Sequence, residues 1–307
     1  PPPDVDVLTS SPFDRVTLID GSTHLVEPLN PRPLPPFDPS GLWDDSLKEF
    51  PVSRPAATEA GERNGAAMGV RVKPGGARPL QPIANRFFFW LRATVLETRR
   101  IAFWWADRMV RTPRPLEEKM TLFWHGHFAT SEEKLRDYRK IFLQLETLRS
   151  GATGNFGKLL VAVAKDPAML VFLDAAQNVK GAPNENFGRE VMELFTMGVG
   201  NYTEDDIREA ARAFTGWGND DLRFVFDPEK HDAGPKHFLG RTGNFGGEEI
   251  LAIILEQKQT AIYIASKLYR FFVCEEVSQA LAERLGDLLR SHNYEIAPFL
   301  TDVFLSR

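Results

Sequence analysis

Apolar and polar positions recur with a helical period between Pro183 and Trp217, and this pattern predicts two helices joined by a glycine-rich turn. Along the first helix, Phe187, Val191 and Leu194 fall at the spacing of one helix face and form an apolar stripe. A polar stripe lies beside the apolar one, about 100° further around the helix axis. Its members are Asn186, Glu190 and Glu193. Two carboxylates are therefore expected one turn apart at the edge of the face that packs.

The ends of these two helices are marked by residues that favour helix termination and capping. Gly198 and Gly200 follow the first helix, and glycine easily adopts the left-handed conformation found just after helix ends. Thr203 precedes the second helix as its N-cap, with Asp206 at the third helical position of a capping box. The second helix is expected to run to about Phe214.

The polar stripe is a candidate catalytic site. Carboxylates three residues apart hold metal ions in helical metalloproteins, so Asn186, Glu190 and Glu193 are predicted to present oxygens to a metal ion or a substrate. Arg189 lies among them and is predicted to bind an anionic group. A structural alternative stays open, because Arg189 has ion-pair spacing from Glu185 and Glu193. Structural ion pairs imitate the electrostatics of functional sites.

Two histidine motifs are candidates for metal binding. His125 and His127 flank Gly126, and on an unbroken helix residues two apart point about 200° away from each other. They can share a site only if the helix breaks at Gly126. Further along, Asp232 follows His231, and a carboxylate beside a histidine can complete a metal shell. The sequence thus predicts a divalent metal ion held by His125, His127, His231 and Asp232. The alternatives are satisfied core histidines and a hydrogen-bonded loop pair.

Helical periodicity dominates the chain after Pro82, so the predicted fold class is mainly α, as a single multi-helix domain over residues 82–307. One exception is Leu222–Phe226, whose alternation predicts a short strand that pairs with His237–Leu239 in a small two-stranded β excursion. We expect this domain to be incomplete at one or both ends.

Residues 1–81 form a different region. The chain has 22 prolines, and fourteen of them lie within the first 79 residues. Proline lacks a backbone donor and resists helix formation, so this region is predicted to be an extended N-terminal arm and loop. Disordered segments are poor in aromatic residues. Phe37 and Trp43 therefore indicate that the arm packs on the domain surface.

Composition restricts the possible partners and locations. The net charge of −5 gives no reason to expect a nucleic-acid partner. No apolar run reaches the roughly 18 residues that a membrane span requires, and the chain shows no signal peptide. The single cysteine, Cys274, is predicted to be buried at the end of an apolar helix.

Four long motifs carry a resemblance to a known family. The first is NENFGREVMELFTMGVGNYTEDDIREAARAFTGW, which ends at Trp217, and the others are EEKMTLFWHGHFATS (Glu117–Ser131), GNFGKLLVAVAKDPAMLVFLD (Gly154–Asp174) and HDAGPKHFLG (His231–Gly240). From roughly Asn85 onward, the chain resembles the uncharacterised bacterial family known as domain of unknown function eighteen hundred. The resemblance implies an exported protein, often with a twin-arginine signal and encoded beside a sulfatase-like exported protein, which is a possible partner. It implies no reaction.

Together these observations lead to three functional hypotheses. The first is an exported, metal-dependent hydrolase that acts on an extracellular polymer or conjugate, with Glu190 and Glu193 as ligands or general base. The second is a metal-dependent oxidoreductase, because the same ligand types also hold iron or copper. The third is a non-catalytic envelope or surface protein, in which the polar residues form a buried network that fixes the fold.

Overall fold

A computed structural model describes residues 15–17, 23–25, 94–95, 98–99 and 101–306. The chain divides into two compact units, Pro1–Asp44 and Asp45–Arg307. In the first unit, β1 (Arg15–Thr17) pairs with β2 (Thr23–Leu25) in an antiparallel hairpin. The predicted packing of Phe37 and Trp43 lies outside the described residues, and the domain boundary after residue 81 stays a prediction.

The second unit is built from helices, which confirms the mainly α fold class. Its helices are α1 (residues 101–111), α2 (Pro115–His127), α3 (Glu132–Leu135), α4 (Tyr138–Ser150), α5 (Phe156–Ala164), α6 (Pro167–Phe172), α7 (Asn186–Glu190), a π-helix (Val191–Thr196), α8 (Glu204–Ala213), α9 (Gly247–Glu256), α10 (Lys258–Phe272), α11 (Gln279–Ser291) and α12 (Ile296–Leu305). No described helix is long and apolar enough to cross a membrane.

The predicted ends of the central helices are confirmed. The Asp206 backbone amide donates to Thr203 Oγ1 at 3.1 Å, and the Thr203 amide donates to Asp206 Oδ2 at 2.9 Å, which completes the capping box. Gly198 and Gly200 have φ angles of 78° and 85°, in the left-handed region that glycine favours. These two local signals fix the turn between the helices.

The prediction of the apolar stripe on the first central helix is only partly confirmed. Phe187 and Val191 are buried as predicted, but Leu194 is 47% exposed. The helix widens into a π-helix after Glu190, and the wider turn rotates the later residues around the axis. Met192 and Phe195 therefore enter the core instead of Leu194.

The β excursion consists of two local hairpins. Strand β3 (Trp217–Asp220) pairs with β4 (Arg223–Phe226), and β5 (Lys236–Phe238) pairs with β6 (Arg241–Gly243). The strands near residues 222 and 237 thus pair with their sequence neighbours and not with each other. In the second hairpin the two loop residues, Leu239 and Gly240, both have positive φ angles, which suits a tight turn that matches strand twist.

Cys274 is exposed, contrary to the prediction that it is buried. Helix α10 ends at Phe272, with Val273 at its C-cap, so the cysteine follows the helix instead of lying on its packed face.

Candidate functional site

The segment that carries the predicted carboxylates contains a π-helix. Helix α7 continues directly into Val191–Thr196, where the Met197 amide donates to the carbonyl of Met192 at 2.8 Å, five residues earlier. The Thr196 hydroxyl donates to the Val191 carbonyl at 2.6 Å, which occupies another backbone acceptor. A π-helix is rare and is found frequently at functional sites. This segment therefore stands out among the described helices.

Side chains from two other helices bind the carbonyls of the π-helix. Tyr263 of α10 donates its hydroxyl proton to the Leu194 carbonyl at 3.0 Å. Nε2 of His127, at the end of α2, lies 3.0 Å from the Phe195 carbonyl oxygen. Because a carbonyl only accepts hydrogen bonds, Nε2 carries the proton and Nδ1 carries a lone pair. The π-helix therefore binds one of the predicted histidines through a backbone carbonyl.

His127 is a neutral imidazole with an unused acceptor. Its Nδ1 atom is buried and has no hydrogen-bond partner among the residues that the structure describes. Burial, followed by the nearby charge of Lys267, lowers the pKa of His127 to about 3. The ring consequently stays uncharged at neutral pH.

Glu190 and Glu193 have different surroundings although they are neighbours. Oε2 of Glu193 accepts a hydrogen bond from the Tyr202 hydroxyl at 2.8 Å. The Glu190 carboxyl is half-buried and has no hydrogen bond or ion pair within the described part of the chain. Burial and then the charge of Glu193 raise the pKa of Glu190. The burial of Tyr202 itself and its hydrogen bond to Glu193 raise the pKa of Tyr202 to about 12.

Lys267 adds a cation without an acidic partner. Its Nζ lies 3.3 Å from the Tyr263 hydroxyl and 5.0 Å from the centre of the Tyr263 ring. No carboxylate of the described residues forms an ion pair with it. Burial and then the charge of Arg270 lower the pKa of this half-buried amine.

These side chains surround one segment of the chain, and we call them the π-helix cluster. Its members are His127, Glu190, Glu193, Tyr202, Tyr263 and Lys267. Gly198 is fitted against the cluster, because a Cβ atom there would lie 3.0 Å from both Cδ2 and Cε2 of Tyr263. Only glycine lets the turn approach the ring this closely.

Two of the predicted catalytic residues lie on α7 without joining the cluster. Arg189 donates to Glu204 at 2.9 and 3.1 Å and to Glu185 at 3.2 Å, so its charge is already paired. The predicted pair with Glu185 is confirmed, and Glu204 takes the place expected for Glu193. Asn186 is exposed in the first turn of the helix.

The first histidine motif does not present both rings to one site. Helix α2 continues through Gly126 and ends at His127, so the break at Gly126 that a shared site requires is absent. His125 is exposed and packs edge-on against Trp105, with ring centres 5.2 Å apart. His127 points into the core from the other side of the same helix.

The second histidine motif is held by residues around α8. Asp232 receives hydrogen bonds from Arg212 at 2.8 and 3.3 Å, and this contact lowers the pKa of Asp232 to about 2. Nδ1 of His231 lies 2.9 Å from the Thr215 carbonyl oxygen and therefore donates to it. The His231 ring lines an open cavity of about 400 Å³.

No described residues form the predicted metal centre. Within the described part of the chain, no group of three or more His, Cys, Asp and Glu side chains is placed to hold a metal ion. The role of His125, His127, His231 and Asp232 as metal ligands therefore stays a prediction without a supporting arrangement.

Sequence reasoning missed Tyr202, Tyr263 and Lys267. The last two lie four residues apart on α10, a spacing that places them on one helix face. The available signal was Lys267 itself, a charged residue on the partly packed face of the amphipathic helix α10. No catalytic motif accompanies it.

The fold and the site define a mainly helical protein with a polar cluster built on a π-helix. The chain belongs to the family described as "Protein of unknown function (DUF1800)", whose model matches residues 45–307. This confirms the resemblance carried by the four motifs. No curated protein and no solved structure matches the chain.

Proposed function

We propose that the protein is a hydrolase in which Glu190 and Glu193 act as a general acid–base pair. The observation that carries the proposal is the half-buried Glu190 carboxyl, which has no hydrogen-bond partner among the described residues and whose pKa is raised beside a second carboxylate. Enzymes that use general acids at neutral pH raise carboxyl pKa values by burial and by neighbouring charge.

The different surroundings of the two carboxyls assign their roles. Glu190 keeps its proton to a higher pH than an ordinary glutamate does. It donates this proton to the leaving group as the scissile bond breaks. Glu193, oriented by the Tyr202 hydroxyl at 2.8 Å, accepts a proton from the attacking water. The proton lost by the acid is thus balanced by the proton that the base gains.

Lys267 takes the substrate-binding role that the sequence gave to Arg189. The Arg189 guanidinium is occupied by Glu185 and Glu204, whereas the Lys267 amine has no described acidic partner. A half-buried ammonium without a counter-ion favours an anionic ligand group. The substrate of the proposed reaction therefore carries a negative charge near its scissile bond.

The proposal assigns the chemistry to the carboxyl pair and not to a metal ion. Neither metal-dependent hydrolysis nor metal-dependent oxidation gains support from the described residues, which contain no grouped ligand set. Export, action on an extracellular polymer or conjugate, and association with a sulfatase-like protein are proposals that rest on the family resemblance. Cell fractionation of a native producer, with detection by antibody, tests the location.

A non-catalytic structural role is the second candidate. It is favoured by the pairing of Arg189 with Glu185 and Glu204 and of Asp232 with Arg212, which stabilises the fold without leaving these groups free. In that case Glu190 is only a poorly solvated surface carboxyl. Its removal would then affect stability alone.

The experiment is a hydrolysis screen with matched variants. The wild-type protein is assayed on chromogenic glycosides, carboxylic esters, sulfate esters and peptides that each carry an anionic group near the scissile bond, together with Glu190→Gln, Glu193→Gln and the control Glu185→Gln. Glu185 is a carboxylate of the same segment that is paired with Arg189. We expect activity on at least one class, a loss of about 100-fold or more in the first two variants, and near wild-type activity in the control.

Two results would contradict the proposal. One is an activity that survives in both Glu190→Gln and Glu193→Gln. The other is the absence of any hydrolysis by the folded wild-type protein across the panel, which would leave the structural role as the better explanation.

A further inference from the structure

An open cavity lies between the β3–β4 hairpin and the start of α9. The residues that line it are Trp217, Phe224, Phe226, His231, Gly246, Gly247, Glu248 and Glu249. Its volume of about 400 Å³ is in the range of small-ligand pockets. It involves none of the side chains of the π-helix cluster.

The hairpin register aligns the aromatic wall of this cavity. Trp217 pairs with Phe226, and Asn219 pairs with Phe224, so the three aromatic residues share one face of the hairpin. The Trp217 and Phe224 rings meet at 83° with centres 5.2 Å apart. The Phe226 ring meets His231 at 67° and 5.3 Å. These contacts join the rings into one aromatic wall of the cavity.

The opposite wall is shaped by glycine and carries negative charge. A Cβ atom on Gly247 would lie 2.3 Å from Cζ2 of Trp217, so glycine is required for α9 to start this close to the indole. Glu248 and Glu249 follow in the first turn of α9, where they offset the positive end of the helix dipole. Glu249 accepts from the Gly246 amide at 3.1 Å and forms no ion pair with a described residue, although its charge acts on the nearby Lys236 amine.

The chain itself already places a cation against this aromatic wall. Nζ of Lys165 lies 5.8 Å from the Trp217 ring centre and 5.2 Å from the Phe224 ring centre. The same ammonium forms an ion pair with Glu248. Aromatic faces attract cations through their quadrupole, and groups of rings are used to bind quaternary ammonium ligands. Lys165 therefore shows the kind of group that these rings and carboxylates accept.

We propose that this cavity binds a quaternary ammonium group of the choline or betaine type. The rings of Trp217, Phe224 and Phe226 contact its methyl groups, and the Glu249 carboxylate balances its charge. Lys165 lies against two of the same rings, and its positive charge repels the ligand. His231 fixes one edge of the cavity through its hydrogen bond to the Thr215 carbonyl.

The test compares choline with its neutral carbon isostere, dimethylbutanol, by NMR titration and calorimetry. The two ligands have nearly the same shape and differ in charge, so a purely apolar cavity binds them equally. We expect choline to bind about fivefold more tightly or better, which corresponds to a single modest cation–π contribution. Glucose and arginine serve as further ligands.

Three variants locate the site. Phe226→Leu should weaken choline binding about fivefold, and Lys165→Met should strengthen it to a similar extent because a nearby positive charge is removed. The matched control is Phe304→Leu, since Phe304 and Phe226 are each 47% exposed and Phe304 lies on α12. The control should bind choline as the wild type does.

Several outcomes would overturn the proposal. Equal affinity for choline and dimethylbutanol would show an apolar cavity only, and tighter binding of glucose or arginine would assign another ligand class. Absence of choline binding would also refute it. So would choline binding that neither Phe226→Leu nor Lys165→Met changes, because the ligand would then bind elsewhere.

Discussion

Replacing Gly198 by alanine tests how closely the turn after the π-helix packs on Tyr263. The backbone at Gly198 has a φ angle of 78°, and an added Cβ atom would lie 3.0 Å from two atoms of the Tyr263 ring. Gly200, two residues later, provides a matched control. Its φ angle is 85°, and a Cβ atom there would meet nothing within 4 Å.

The expected magnitudes follow from this difference. A left-handed conformation costs a non-glycine residue about 1–2 kcal/mol, and this cost applies to both variants. Steric overlap in a well-packed region adds about 1–3 kcal/mol, and this addition applies only to Gly198→Ala. Each substitution restricts the unfolded chain to the same extent, so that effect cancels in the comparison. Gly198→Ala should therefore be about 1–3 kcal/mol less stable than Gly200→Ala.

Urea denaturation monitored by circular dichroism measures both free energies of unfolding. A third variant, Tyr263→Leu, provides the background for a double-mutant cycle with Gly198→Ala. Without the ring, the additional cost of alanine at position 198 should disappear. Equal losses in Gly198→Ala and Gly200→Ala, or an unchanged cost in the Tyr263→Leu background, would show that the close contact with the ring does not exist.

Two further predictions concern buried and half-buried carboxyls. The folded-state pKa of Glu190 is raised, so its ionisation opposes folding; Glu190→Gln should increase the free energy of unfolding at pH 7 and lose this advantage as the pH falls below about 4.5. A urea titration series across this range checks it, and a destabilised variant at pH 7 would contradict it. Burial by itself raises the pKa of Glu118, but hydrogen bonds from Arg108 and Arg149 outweigh burial and hold the pKa below its ordinary value. This stabilisation is present above pH 4.5 and is lost as the pH falls through the folded-state pKa. Glu118→Ala leaves buried Arg149 with Glu146 as its remaining described carboxylate partner and should cost about 3 kcal/mol at pH 7; a loss below 1 kcal/mol in thermal or urea unfolding would refute the role of this ion pair.

Local signals in the sequence predicted the parts of the fold that depend on a few neighbouring residues. Thr203 and Asp206 formed the expected capping box because both partners lie within one turn. Leu194 was assigned to the core because the pattern assumed 3.6 residues per turn, and nothing in the spacing indicates a π-helix. Glu185 paired with Arg189 as its spacing suggested, whereas Glu204 reached Arg189 only through the fold.

Only some residues of the candidate site could be predicted from the sequence. Glu190, Glu193 and His127 were chosen from residue type and spacing, but Tyr263 and Lys267 join them from a helix about 70 residues away in sequence. Such contacts depend on how helices pack, and a single sequence does not encode the packing in a form that spacing rules can use.

The central claim is that Glu190 is a general acid whose proton is held by burial and by the charge of Glu193. The most direct measurement is a carbon-13 NMR titration of the Glu190 side-chain carboxyl in the wild type, in Glu193→Gln and in the control Glu185→Gln. We predict a midpoint above the ordinary value of 4.5 in the wild type, a lower midpoint in Glu193→Gln, and a smaller change in the control. A wild-type midpoint at or below 4.5, or one that Glu193→Gln leaves unchanged, would contradict the claim.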